Sequence, residues 1–379
     1  MSIATPRRSA LAAELRETFS APGDALVGVE EELMLLDPET LDLTPRAADV
    51  LAAGAEDERL RLEMPAAQIE VVLPPAPTVD AAAAALGAAR ADLASRADGL
   101  AVLAGAGTHP FTAAEGVLNP HPRYAEMVRD FGATARRQLV FGLHAHVCVR
   151  GPERVVAVHD ALRSYLPDVA ALAANAPFAD GRDAGMASVR PGISELLPRQ
   201  GVPPALGDLD GLAAALEWGA ASGRVPGPHR WWWQLRLHPT HGTIEVRVAD
   251  AQATVADARA VVALIRALVH RLAERHDAGE TLPVAPTWRI EENAWVAARD
   301  GLDARLADLR TGEVRPVADR LRALVQDLGP TAERLGDGGA LAAAETLIAD
   351  GGGAARQRAA AGGDGRAAAA FLAERFLAG

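Results

Sequence analysis

From Ala25 to Leu36 the chain alternates, with Val27, Val29, Leu33 and Leu35 on one side and Gly28, Glu30, Glu32 and Met34 on the other. A period of two is the mark of a strand, and one this asymmetric belongs in a sheet with one apolar and one polar face. Glu31 falls on the apolar side, among the valines and leucines. Glu30 and Glu32 share the other face and repel. They persist together in a partly buried sheet only when a cation or an arginine neutralises them, because an unpaired buried carboxylate costs on the order of several kcal/mol. For this strand alone, a simply wet second face is the plain alternative.

The same design recurs. A strand is expected from Ala67 to Leu73, placing Gln68 and Glu70 on one face and Ile69 and Val71 on the other, with Glu63 just upstream of Pro65. Another spans Gln138 to Val149 and sets His144 and His146 on one face, a spacing suited to metal ligation, although such a pair is often ordinary polar surface. A fourth, Thr243 to Ala249, carries Glu245 and Arg247 opposite Ile244, Val246 and Val248; a cross-strand salt bridge is its simplest reading. Leu100 to Ala106 completes the set of strands. Thr78 is the expected N-cap of an alanine-rich helix reaching about Ala97, and helices are expected over 153–174, 208–221, 254–276 and 313–327. Beyond Gly336 the alanine- and glycine-rich tail reads as short peripheral helices separated at Gly351-Gly352-Gly353 and Gly362-Gly363.

This mixture lacks a regular strand–helix alternation and a glycine-rich phosphate loop after the first strand. It points to an α+β fold, an antiparallel sheet lined with metal-binding residues and covered by helices. The expected organisation is an extension over 1–24, one catalytic domain over 25–335, and C-terminal helices over 336–379 packed on it.

Composition removes several chemistries. The chain has no lysine, so all 38 basic residues are arginine. A P-loop and a Schiff-base enzyme are thereby excluded. Acidic residues number 50 and the bases are scattered, which argues against nucleic acid as a partner. Cys148 is the single cysteine, so there is neither an internal disulfide nor a cysteine-cluster zinc site, and a cytoplasmic location is expected. No stretch reaches membrane-spanning length, and the residues around Arg7, Arg8, Glu14 and Arg16 hold no apolar core of signal-peptide length.

Four strands each present carboxylate, imidazole or guanidinium groups on one face and apolar groups on the other. Oxygen-rich sets dominated by glutamate select magnesium or manganese over zinc or copper. Magnesium with arginine and without lysine suggests phosphoryl transfer from a nucleotide.

The motifs Gly28-Val29-Glu30-Glu31-Glu32, Gly107-Thr108-His109-Pro110, Arg123-Tyr124, Gly142-Leu143-His144-Ala145-His146 and Leu166-Pro167 resemble those of the type 2 glutamate–cysteine ligases, the YbdK-like carboxylate–amine ligases. The resemblance continues through Ala174-Asn175-Ala176-Pro177-Phe178, Leu197-Pro198-Arg199, Trp231 to Trp233 and Gly242-Thr243-Ile244-Glu245-Val246-Arg247, and covers about Val27 to Leu302. It implies a fold related to glutamine synthetase and the guanido kinases. It implies ATP and Mg2+, or Mn2+, held by Glu30, Glu32, Glu70, His144 and Glu245, with Glu63 as an addition, and Arg247 at the transferred phosphate. The implied reaction activates the side-chain carboxylate of glutamate as an acyl phosphate, which the amine of cysteine or another small molecule attacks; a homodimer is also implied. Arg190 and Arg236 are candidate carboxylate clamps, with ordinary ion pairs as the alternative. Two positions depart from the family pattern, Asp300 standing in place of tyrosine and Ala176 in place of serine. Three rivals stay open: the same ligation with a different amine, a zinc-dependent amide hydrolase using His144 and His146 with a glutamate base, and a nucleotide sensor without turnover.

Overall fold

Seven antiparallel strands form the central sheet: β1 (Val27–Leu36), β2 (Leu60–Leu62), β3 (Gln68–Val72), β4 (Val102–Ala104), β5 (Gly142–Cys148), β6 (Leu235–His238) and β7 (Thr243–Asp250). The computed structural model describes residues 9–21 and 25–378, so parts of the expected 1–24 extension lie outside the described residues. Strand order is β2-β3-β1-β5-β7-β6, and β4 pairs with the C-terminal part of β1, where Met34 faces Ala104. The α+β expectation is met.

Register gathers the polar groups. Glu32 lies opposite Glu70, Glu30 opposite His144, Gly28 opposite His146, and His146 opposite Glu245. Ala145 pairs with Val246 while Leu143 pairs with Ala249, so β7 carries one extra residue. This bulge lets the consecutive Val248 and Ala249 both enter the core while Arg247 keeps to the polar face. On the apolar face Val27, Val29, Leu33, Ile69, Val71, Leu143, Val147, Ile244 and Val246 belong to one buried cluster with the helices.

The helix layer is built around Val255–Asp277, which packs against Val79–Ala97, Pro152–Leu162, Val317–Arg334 and Gly338–Ala349. Thr78 and Thr254 cap their helices as oxygen acceptors, at 3.1 Å from the amides of Ala81 and Asp257. Glu31 is fully buried within this layer, and Arg90 meets it through Nε at 3.0 Å and Nη2 at 2.8 Å.

Several expected elements differ. The helix expected over 153–174 is two, Pro152–Leu162 and Leu166–Ala173, joined by a 3-10 turn at Arg163–Tyr165. Pro167 has no amide hydrogen to donate and therefore starts a second helix rather than continuing the first. The helix expected over 313–327 begins only at Val317, because Val314–Pro316 pairs with Arg305–Ala307 as a hairpin, and it runs on through Pro330 to Arg334. The strands expected over 100–106 and 138–149 are shorter, at 102–104 and 142–148. Thr287–Asp300 is a helix, and β6 a strand, that the sequence reading did not anticipate.

The tail is not peripheral. Its helices, Gly338–Ala349, Gly352–Ala361 and Gly365–Arg375, bury Leu341, Leu347, Gln357 and Leu372. Arg90 donates to the Phe376 carbonyl at 3.1 Å, tying the C-terminal residues to β1 through Glu31.

Candidate active site

The polar face of the sheet floors a cleft of about 350 Å³ lined by Glu30, Glu32, Glu63, Glu70, Arg190, Arg236 and Arg247 among others. Glu30 stands at its centre. One carboxylate oxygen lies 3.3 Å from His144 Nδ1 and the other 3.3 Å from His146 Nε2. Burial alone would raise its pKa, but the hydrogen bonds of His144 and then of His146 hold it far below the usual carboxylate range. Glu70 experiences the opposite balance: burial, then the charges of Glu63, Glu30 and Glu32, raise it well above the ordinary value. Burial pushes Glu32 up to about 7, with Arg190 opposing.

Two triads could each hold a metal ion, Glu30 with Glu70 and His144, and Glu30 with His146 and Glu245; within each, the ligand atoms lie within 4.8 Å of one another. Nε2 of His144 and Oε1 of Gln68 are buried without a hydrogen-bond partner. Nδ1 of His144 is addressed at 3.3 Å both by the Glu30 carboxylate, which needs a proton there, and by an Arg247 N–H, which needs a lone pair. Burial, reinforced by Arg247, lowers the His144 pKa to about 4, so the ring is neutral at pH 7. A divalent cation between Glu30 and His144 would remove the conflict, and the residues present therefore fit one.

The arginines are fixed from below. Arg236 grips the fully buried Glu245 with Nε and Nη2 and donates through Nη1 to the Trp231 carbonyl at 2.8 Å. Arg247 donates to the same carboxylate. Burial would raise the Glu245 pKa, yet Arg247 and Arg236 hold it well below the usual range. Arg190 is half-buried; it donates at 3.3 Å to the carbonyls of Val248 and Arg247, lies 3.8 Å from Asp250, and leaves its Nε unpartnered. Gly142 makes room for it, since a Cβ there would lie 2.3 Å from the Arg190 guanidinium and 2.9 Å from His144 Nε2. The clamp expected of Arg236 is thus occupied by the protein's own Glu245, whereas Arg190 faces Glu32.

All nine residues anticipated from the sequence converge here. Glu32 and Glu63 line the cleft but stand outside the two close triads. His146, absent from the implied ligand set, joins the second triad; its register opposite Glu245 was the missing information. His238, on the unanticipated β6, packs edge-on against His146 with ring centroids 5.6 Å apart. The alternation of Leu235-Arg236-Leu237-His238 before a turn closing at Gly242, φ 62°, was the available signal. Asp300 pairs with Arg299 and Ala176 is buried; neither lines the cleft.

The model of glutamate-cysteine ligase family 2 matches residues 26–370. The chain belongs to that family. A protein of Frankia casuarinae with the provisional name glutamate–cysteine ligase 2-1 is 35% identical over 341 residues, 87% of this chain and 88% of its own length. One of Rubrobacter xylanophilus, provisionally named glutamate–cysteine ligase 2-3, is 38% identical over 328 residues, 84% of this chain and 87% of its own. Among solved structures, the glutamate–cysteine ligase of Francisella tularensis in complex with AMP superposes with a TM-score of 0.70 at 11% identity, covering 95% of this chain and 90% of that one. A bifunctional glutathione synthetase from Pasteurella multocida gives 0.62 at 14%, covering 97% of this chain and 53% of that one. At such identities the two structures speak for the fold. Family membership and the cleft identify the chain as an enzyme of the ligase class.

Proposed function

We propose that this chain is an ATP-dependent carboxylate–amine ligase that joins the side-chain carboxylate of glutamate to the amine of cysteine. The observation that carries the reading is the pair of carboxylate–imidazole triads sharing Glu30, with Arg247 beside them, in a chain of glutamate-cysteine ligase family 2.

Glu30, Glu70 and His144 would hold one divalent cation and Glu30, His146 and Glu245 another, with Glu32 and Glu63 supplying further oxygens. Bound magnesium, or manganese, contributes charge neutralisation at the nucleotide phosphates. The rest of the chemistry falls to the chain. Arg247 keeps its charge, since Glu245 outweighs the effect of burial, and it meets the transferred phosphoryl group with N–H donors fixed in advance. Arg236 acts one step back, holding Glu245 so that Arg247 does not swing. The glutamate carboxylate oxygen takes the terminal phosphoryl group of ATP and ADP leaves. The amine nitrogen then attacks the acyl carbon, phosphate departs, and the amine gives up a proton. Arg190, unpaired at Nε, is suited to steady a substrate carboxylate. The cytoplasm, where nucleotide and free thiol coexist, is the location we infer, and a homodimer the assembly.

Phosphate release from ATP with magnesium, glutamate and a panel of amines headed by cysteine tests the reading. Release should require both glutamate and an amine and vanish in Glu30→Gln. Release with another amine alone would keep the ligase and change the substrate. Zinc-dependent hydrolysis of a test amide without ATP would overturn it.

A further inference from the structure

The three consecutive tryptophans are divided between two compartments. Trp232 lines the ligase cleft, whereas Trp231 and Trp233 line a second cavity of about 440 Å³ reached by Leu235 and Leu237, the apolar-face side chains of β6. Leu212 and the largely exposed Trp218, from the helix Leu209–Ala221, form another wall. A cavity of this size, mostly apolar with few polar groups, has the character of a small-molecule site.

No acidic side chain lines it. Of its polar groups, Arg236 is committed to Glu245, and His159 lies 2.9 Å from Asp160. Arg199 differs. Its Nε donates to the Arg230 carbonyl at 3.0 Å and its guanidinium lies over the Trp232 ring at 5.4 Å. Among the described residues it makes no ion pair with a carboxylate. Its backbone sits in the left-handed region, φ 61°, which glycine occupies far more readily than arginine. A half-buried guanidinium without an acid, on a wall of indole and aliphatic side chains, is complementary to a planar ring bearing a negative charge.

We propose that this cavity binds a small aromatic carboxylate, at a site separate from the ligase cleft. The ring lies among Trp218, Trp231 and Trp233 and the carboxylate meets Arg199. Arg236 lines both cavities and donates to the Trp231 carbonyl, so an occupant lies against the backbone that holds Arg236 without entering the cleft.

Calorimetric titration of the full chain with naphthoate and with its neutral counterpart naphthamide tests this. Naphthoate should bind roughly tenfold tighter or more, the ratio expected for a charge-assisted hydrogen bond. Arg199→Gln should erase that preference, Arg199→Lys should restore much of it, and Trp218→Ala should weaken both ligands. Saturating the cleft with ADP and magnesium should not displace naphthoate, since the two ligands occupy different cavities. Equal affinity for the two probes, no binding at millimolar concentration, an unaffected Arg199→Gln variant of native circular dichroism, or displacement by ADP would each overturn the proposal.

Discussion

Glu30 belongs to both candidate metal triads and touches both imidazoles, so one substitution interrogates the whole centre. Glu30→Gln should retain the far-ultraviolet circular dichroism of the parent and lose magnesium-dependent turnover by about two orders of magnitude or more, as when a preorganised charge is removed. For Arg247→Ala we expect a fall in kcat of about 10²–10³ with the KM for ATP moving far less, because its donors serve the charge that develops during transfer; steady-state kinetics read both. A third residue reports on stability. Burial, then the charges of Arg266 and Arg154, lower the His270 pKa from 6.5 to about 4. The folded form therefore stays neutral where the unfolded chain already takes a proton. Its contribution is complete above pH 6.5 and is lost as pH falls toward 4, the loss reaching about 2 kcal/mol at pH 5. Urea unfolding at pH 7 and pH 5 should show a smaller difference in His270→Asn than in the parent. At this scale the candidate site was largely legible, since strand periodicity alone puts Glu30 with Glu32 and Glu245 with Arg247. It could not reveal that Arg236 spends its guanidinium on Glu245, a contact made across neighbouring strands.

Among the elements, β1 carries two opposed chemistries one residue apart: Glu30 toward the cleft and Glu31 into the helix layer. Arg90 makes the second tolerable, with Nε and Nη2 on the Glu31 carboxylate, Nη2 also on the Gln252 carbonyl, and Nη1 on the carbonyls of Ala253 and Phe376. Arg90→Leu leaves a buried carboxylate unpaired and should cost about 3–5 kcal/mol in denaturant unfolding, whereas Glu31→Leu combined with Arg90→Leu should recover most of the loss. The partner of Glu31 lay 59 residues away on an otherwise ordinary alanine-rich helix, and no local pattern announces it. Elements whose ends are governed by local chemistry, such as the Thr78- and Thr254-capped helices, matched their expected bounds closely. Some of those governed by pairing did not, β4 and β5 stopping short of their expected ends. β6 holds four residues, too few for its alternation to stand out, and becomes a strand because β7 offers it an edge.

For the molecule as a whole, the C-terminal helices support the site. Gln357 donates to the carbonyl and the side-chain oxygen of Asn175 at 2.9 and 2.7 Å. Asn175 donates its amide to Asp250, which also accepts from Ser188 and lies beside Arg190. Gln357→Leu should therefore lower stability by about 1–3 kcal/mol, the cost of unsatisfied buried polar atoms. Thermal unfolding followed by calorimetry checks it. Among the described residues no helix is long and apolar enough to cross a membrane. The amino-acid sequence by itself determined the two-faced strands, the oxygen-rich ligand chemistry, the absence of any lysine mechanism and the family motifs. All of these depend on residue type and on spacing within one segment. Only the tertiary structure decided which polar groups meet: His146 with Glu245, Arg236 with Glu245, Arg199 against the tryptophans, and Gln357 beneath Asn175. Those pairings join residues distant in the chain, and they arise when register and helix packing bring buried polar atoms to the partners that satisfy them.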